Sequence, residues 1–412
     1  MSSQSEISSL PQALSRRTLF PRMLLLLVAT PFFLEVFLRV FVGSPKPQVW
    51  TPNLTLQREV PDLMDSSRMK KFVFKTNNFG VRGDQISAGE KAVLFLGSST
   101  LECEGISNDT TWPEIMMKTL DKRLSRNYRC LNAGRSGMKL PQNILHFKAL
   151  ADQLHAAGTG VAFTLIMPGA MDLQSFLANP EVDSAFDASG GKAASERNKK
   201  LFEQAFPGIS SFYDEGPFYK RNLTWLYLSR LKQQFFQAGN EPRKSLTYFQ
   251  KRRIRSFSRR ADLSPEKEAR FQAFLKAYEA NLHSLIQIGL DRNIPTVLVS
   301  QPILSAPSDT GRLNSGIIDA NIEKVTEDSI RLGRSVFIAQ DQYVEKMGEV
   351  NAVTERVGQE CQKCAFIDLA KVLPVDKGLF YDTFHYSERG CLLAGRLLAM
   401  AVPDSILPVS SP

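Results

Sequence analysis

The sequence predicts an α/β protein built on a parallel sheet, from three observations. First, from residue 91 onward, short apolar runs rich in Val, Leu, Ile and Phe alternate with longer segments of helical periodicity. The strand candidates are 92–97, 128–132, 161–167, 295–301 and 365–369; the helix candidates between them are 112–126, 141–157, 265–291, 314–332 and 387–402. Strands separated by helices cross over, run parallel and carry helices on both faces. Second, Ser99, Gly134, Asp172 and Gln301 fall at or just after strand ends, where open parallel sheets gather functional groups. Third, Asp382 and His385 stand three positions apart just before the last helix candidate.

Ahead of this body the chain carries a membrane signal. Residues 19–42 form an apolar block, and Met23 to Leu34 has no charge. Glu35 and Arg39 are spaced to pair on one helix face, and Arg39 sits where a long cation reaches lipid headgroups. The length fits a crossing of roughly 20 residues. Arg16, Arg17 and Arg22 precede the block, which leaves the tail 1–18 cytoplasmic and the body outside. Ser15-Arg16-Arg17-Thr18-Leu19-Phe20 is similar to a twin-arginine export signal, but no small-x-small cleavage site follows, so the reading is an uncleaved anchor in the inner, cytoplasmic membrane. Residues 43–87 read as an extended spacer and lead-in, Pro-rich at first, with a short strand into a turn over 72–83.

The 412 residues are 43% hydrophobic and 23% charged, the composition of a globular protein rather than a disordered one. The net charge of +9 is concentrated in Lys251-Arg252-Arg253-Ile254-Arg255-Ser256-Phe257-Ser258-Arg259-Arg260. No nucleic-acid fold motif accompanies this run, which reads as a solvated basic face, so no nucleic-acid partner is expected. It closes a stretch, about 175–264, that breaks the strand–helix alternation and reads as an insertion after the third strand. The domain therefore spans 88–405 around that insertion. The five cysteines are Cys103, Cys130, Cys361, Cys364 and Cys391. Cys361-Gln362-Lys363-Cys364 has zinc-knuckle spacing, but no further ligand pair follows. It also precedes a strand instead of opening a helix, against a redox motif. A loop disulfide in an oxidising compartment, or two idle thiols, remain.

The chemistry lies in Ser99 and in the Asp382/His385 pair. Ser99 follows the run Ala92-Val93-Leu94-Phe95-Leu96, at the tip of a strand. A serine hydroxyl, an imidazole and a carboxylate are the nucleophile, base and orienter of acyl transfer, which needs no metal or cofactor. Only four histidines exist (His146, His155, His283 and His385), so few residues compete for the base role.

The layout resembles the SGNH/GDSL hydrolase superfamily over roughly residues 90–172 and 280–403. The Gly97-Ser98-Ser99 turn matches the family's Gly-Asp-Ser block, with Ser98 in place of the aspartate. Asn132-Ala133-Gly134-Arg135-Ser136-Gly137 matches Asn-x-Gly-x-x-Gly, and Asp382-Thr383-Phe384-His385 matches Asp-x-x-His. The lead-in Asn77-Asn78-Phe79-Gly80-Val81-Arg82-Gly83 and Thr111-Trp112-Pro113 look like the membrane-tethered bacterial branch of that superfamily. The resemblance implies a flavodoxin-like three-layer α/β/α sandwich. It implies Ser99 as nucleophile, His385 as base, Asp382 as orienter, and the backbone N–H groups of Ser99 and Gly137 as oxyanion donors. The third block departs from the pattern: Gly169-Ala170-Met171-Asp172 stands where the family has Gly-x-Asn-Asp, and Met171 has no hydrogen to donate. Asn132 is the nearby side chain available as a substitute. The implied activity is a membrane-anchored serine esterase acting on an oxygen ester, with acetyl groups on an envelope glycan as the class of substrate. An O-acyltransferase using the same three residues, a non-catalytic glycan-binding or assembly protein, and a lipase or lysophospholipase are the alternatives.

Overall fold

The computed structural model describes residues 49–50, 52–65, 67–103, 105–124, 127–178, 259–260, 265–304, 329–331 and 336–407, together with helical Thr30, Phe33, Leu34, Val36 and Phe37. Most of the expected membrane span over 19–42, most of the 175–264 insertion, and the 314–332 helix apart from Ser329–Arg331 lie outside the described residues. Among the described residues no helix is long and apolar enough to cross a membrane.

Five strands form the central sheet: β3 (Lys91–Gly97), β4 (Arg129–Asn132), β5 (Gly160–Met167), β7 (Thr296–Val299) and β10 (Cys364–Ile367). All neighbours pair in parallel, in the order β10-β7-β5-β3-β4. Counted along the chain this is the 2-1-3-4-5 order of flavodoxin-like sheets, whose switch point lies beside the first strand. That strand is β3, and Ser99 follows it.

Burial on both faces explains why these strands read as continuous apolar runs. Along β3, Ala92, Leu94 and Leu96 face one core while Val93 and Phe95 face the other. The same alternation splits Leu298 from Val297 and Val299 on β7. One core is closed by α3 (Leu140–Ala156), α4 (Ala170–Ala178), α5 (Pro265–Asp291) and α6 (Gln340–Glu360), the other by α2 (Trp112–Leu124) and α8 (Glu388–Ala401). Two short helices, α1 (Ser99–Glu102) and α7 (Leu369–Val372), follow β3 and β10.

Helix α6 is absent from the sequence expectation. It packs Tyr343, Met347, Val350, Val353 and Val357 into the core, and Lys346 Nζ bonds Glu268 (2.8 Å) and Glu349 (2.7 Å), tying α6 to α5. At the predicted helix 314–332, the described end is a strand: β8 (Ser329–Arg331) pairs antiparallel with β9 (Val336–Ala339), and β6 (Arg259–Arg260) completes a small second sheet. Cys361 and Cys364 form a disulfide between α6 and β10, while Cys103, Cys130 and Cys391 are buried thiols.

The lead-in is folded onto the domain over its described part: the short strand expected at the start of 72–83 is present within Met69–Lys75, while Thr55–Pro61, expected as spacer and lead-in, is a strand paired with it. β1 (Thr55–Pro61) and β2 (Met69–Lys75) form an antiparallel hairpin whose Val60, Phe72 and Phe74 make a small core with Trp50. Arg82 then pairs with Asn132 through both backbone bonds (2.9 Å each), extending the sheet edge beyond β4. The physical reason is pairing between distant segments: β1 is largely polar and becomes a strand only because β2 lies beside it.

Candidate active site

Ser99 opens α1 directly after β3 and keeps partial exposure, while its neighbours Ser98 and Thr100 are buried. As first residue of a helix its N–H has no intrahelical acceptor. The helix is braced from behind: Trp112 Nε1 donates to Thr100 O (2.9 Å), and the indole packs edge-on against Phe95 at 5.7 Å. This gives Thr111-Trp112-Pro113 a physical role, holding the segment that carries Ser99. Gln301, at the end of β7, also reaches this segment, its Oε1 accepting from Thr100 Oγ1 (3.2 Å).

Asp382 and His385 arrive on the turn before α8. Asp382 Oδ1 accepts from the backbone N–H groups of Phe384 (3.0 Å) and His385 (2.8 Å), an Asx-type turn that orients its own carboxylate. The other oxygen, Oδ2, lies 2.6 Å from His385 Nδ1. Burial pushes the Asp382 carboxyl up, but the His385 charge and the hydrogen bonds from His385 and Phe384 outweigh it, and the net direction is down. Ser387 caps α8, accepting from Gly390 N (3.1 Å) and donating to Gly378 O (2.7 Å), which fixes where the turn ends. Tyr381 stacks parallel to the imidazole, with centroids 5.4 Å apart.

The imidazole reaches across to Ser99: His385 Nε2 lies 2.7 Å from Ser99 Oγ. Ser99, His385 and Asp382 thus form one continuous hydrogen-bonded line of serine, imidazole and carboxylate. His146 is not a competitor for the base role. It is 1% exposed inside α3, and burial, with a further push from Arg135, lowers its pKa to about 3, so it is neutral near pH 7.

Gly137, the residue expected from the sequence to donate to the oxyanion, lies in the turn after β4. Gly137 has φ +85°, in the left-handed region that favours glycine, and its N–H is engaged by no other described residue. Gly134 is packed so closely on α1 that a Cβ would lie 2.7 Å from Glu102 N. The expectation that Asn132 lends its amide to the oxyanion is not met: Nδ2 donates to Leu101 O (2.8 Å), Oδ1 accepts from Gly134 N (3.0 Å), and the residue is 2% exposed. Asn132 ties the turn to α1 instead. Met171 sits half-buried in the first turn of α4, following β5, the neighbour of β3.

Asp172 faces inward. Its oxygens accept from Leu140 N (2.8 Å) and Gly169 N (3.4 Å), joining the starts of α3 and α4. The Gly169 backbone (φ +104°) lies under α6, where a Cβ would meet Val350 and Met347 within 3 Å. Glu102 and Arg82, which the sequence offers no local reason to connect, meet at the end of α1, where Arg82 donates to Glu102 O and Glu102 accepts from Ser136 N. Among the described residues no group of three or more His, Cys, Asp or Glu is placed to hold a metal ion.

No family model and no curated protein sequence matches the chain. Among solved structures it is similar to LAE5, an alpha/beta hydrolase enzyme from the metagenome of Lake Arreo, Spain (12% identity, 78% of this chain and 96% of that one, TM-score 0.36). It is also similar to a catalytic mutant of Axe2, an acetylxylan esterase from Geobacillus stearothermophilus (14%, 78% and 95%, 0.38). A third is a lipase/acylhydrolase from Enterococcus faecalis (12%, 76% and 94%, 0.34). Alignments at this level transfer no residue roles, and the site stands on its own geometry.

Burial raises the Asp172 carboxyl from 3.8 to about 6, against the opposing pull of the Leu140 hydrogen bond and Lys139. The folded chain therefore holds this proton more tightly than the unfolded one. That contribution to stability is complete below the unfolded value and is lost as pH rises through the folded one. Urea unfolding of wild type and Asp172→Asn across this range will show wild type losing stability relative to the variant between about pH 4 and about pH 7. A difference that is constant, or that grows in wild type's favour with pH, contradicts the burial assigned to Asp172.

Proposed function

We propose that this chain is a serine esterase of the SGNH/GDSL hydrolase superfamily, anchored in the membrane by residues 19–42. The observation that carries the reading is the line Ser99 Oγ–His385 Nε2–His385 Nδ1–Asp382 Oδ2, with separations of 2.7 and 2.6 Å at its two contacts. The placement of Ser99 at the switch point of a 2-1-3-4-5 parallel sheet supports the family.

In this reading Ser99 Oγ attacks the ester carbonyl carbon while His385 Nε2 takes its proton. Asp382 orients the ring and offsets the imidazolium charge. Negative charge developing on the carbonyl oxygen is met by the N–H groups of Ser99 and Gly137. Collapse breaks the bond to the leaving alcohol, which receives the proton from His385, and leaves an acyl group on Ser99. Water, deprotonated by His385, then releases the acid. With Met171 in the third block, backbone donors carry the oxyanion without a side-chain amide. The ester class we favour is an O-acetyl group on an envelope glycan, supported by the resemblance and by the expected location outside the inner membrane.

Full-length protein in mild detergent will hydrolyse a short-chain acetyl ester and react with a fluorophosphonate probe, and Ser99→Ala will lose both. Labelling without turnover points to transfer onto a sugar hydroxyl or to a different ester. A folded wild type that shows neither supports the non-catalytic glycan-binding alternative. The anchor makes a separate expectation: alkaline carbonate washing leaves the full chain in the membrane pellet, and deletion of 19–42 releases it. Release of the full chain by carbonate removes the anchor from the account.

A further inference from the structure

The lead-in that packs against the domain ends in a buried cation whose role the catalytic line does not explain. Arg82 is 2% exposed. Its Nη1 donates to Glu102 O and Cys103 O (the latter 3.1 Å), Nη2 to Ile106 O, and Nε to Asn108 Oδ1 (2.9 Å). Phe74 of β2 lies under the guanidinium at 4.9 Å. These acceptors are the carbonyl groups at the end of α1 and in the loop after it. One Arg fork therefore gathers the whole segment that follows Ser99.

Glu102 closes α1 and is 5% exposed. Its Oε2 accepts from Ser136 N, one residue before Gly137. The Arg82 charge lies near enough to attract it. A carboxylate this deep is costly unless it is hydrogen-bonded or paired, and here it accepts from the turn that carries the second oxyanion donor. Asn132 fastens the same turn to Leu101 O.

We propose that Glu102 is a positioning residue: its carboxylate holds the Ser136–Gly137 turn at the distance from Ser99 that the oxyanion needs, and Arg82 fixes Glu102 from the other side. The catalytic half of this statement rests on the esterase reading, while the clamp itself does not. Nucleophile and oxyanion turn come from different strands, and a small error between them is costly: misplacing a reacting group by about 1 Å can cost about a hundred-fold in rate.

The test uses full-length protein in mild detergent as wild type, Glu102→Asp and Glu102→Gln. Asp keeps the charge and shortens the reach by one carbon; Gln keeps the reach and an acceptor oxygen. Two quantities are read: amide hydrogen exchange over residues 132–138, and kcat and KM on 4-nitrophenyl acetate. Glu102→Asp is expected to speed exchange in this turn selectively. It is also expected to lower kcat by about ten- to a hundred-fold with KM within about two-fold. Glu102→Gln is expected to restore most of both. Unchanged exchange in Glu102→Asp overturns the clamp even if the enzyme is active. Faster exchange with unchanged kcat in an active enzyme overturns the catalytic role. A wild type without ester turnover overturns that role too, while exchange still decides the clamp. A loss of protection spread evenly over the chain shows a structural residue only and also overturns the proposal.

Discussion

Ser99 and His385 stand 286 positions apart in sequence and are joined by one contact of 2.7 Å between Oγ and Nε2. A closed circuit of packing holds that distance. His385 leads into α8, whose start is fixed by the Ser387 cap. Gly395 brings α8 against α2 so closely that a Cβ there would lie 2.6 Å from Trp112 O. Trp112 in turn bonds Thr100 O, beside Ser99. Each link is short-range, and together they transmit the position of the C-terminal helix back to the serine. This is how a parallel sheet, whose connections are long, keeps the geometry that the proposed catalysis needs, which tolerates little displacement.

The turn that carries Gly137 is built at the β4 edge of the sheet. Arg82 continues pairing beyond β4 through Asn132, and its side chain turns inward to collect the carbonyl groups after α1. Asn108 accepts from both Arg82 Nε and Lys75 N, so the hairpin of β1 and β2 is anchored to the same loop. The segment between the expected anchor and the sheet is thus a structural part of the site, with Trp50 lying under Arg135 of the Gly-rich turn at 4.7 Å.

How much of this is legible in the sequence follows from how local each signal is. The five sheet strands are legible because β3, β5 and β7 are buried on both faces and read as unbroken apolar runs. Ser99, Gly137, Asp382 and His385 are legible because their spacing within short motifs is local. Helix α6 carries a helical stripe at Tyr343, Met347, Val350, Val353 and Val357, but Glu345, Lys346, Gly348 and Glu349 dilute it, and a narrow stripe is easily passed over. β1 has no apolar run of its own; its register is set by β2, a non-local partner. The bond between Glu102 and Ser136 spans 34 positions, and no spacing rule predicts it. Asn132 is legible as a motif residue, yet its bonds to Leu101 and Gly134 are visible only once the turn is folded.

The account turns on which atom carries the acyl group. Rapid acid quench of the full-length protein during turnover of a short-chain ester, followed by peptide mapping by mass spectrometry, reads that atom directly. The account predicts the acyl group on the peptide containing Ser99, and no acylated peptide in Ser99→Ala. Acylation of another residue, or steady turnover with no acylated Ser99 at any time, would contradict it.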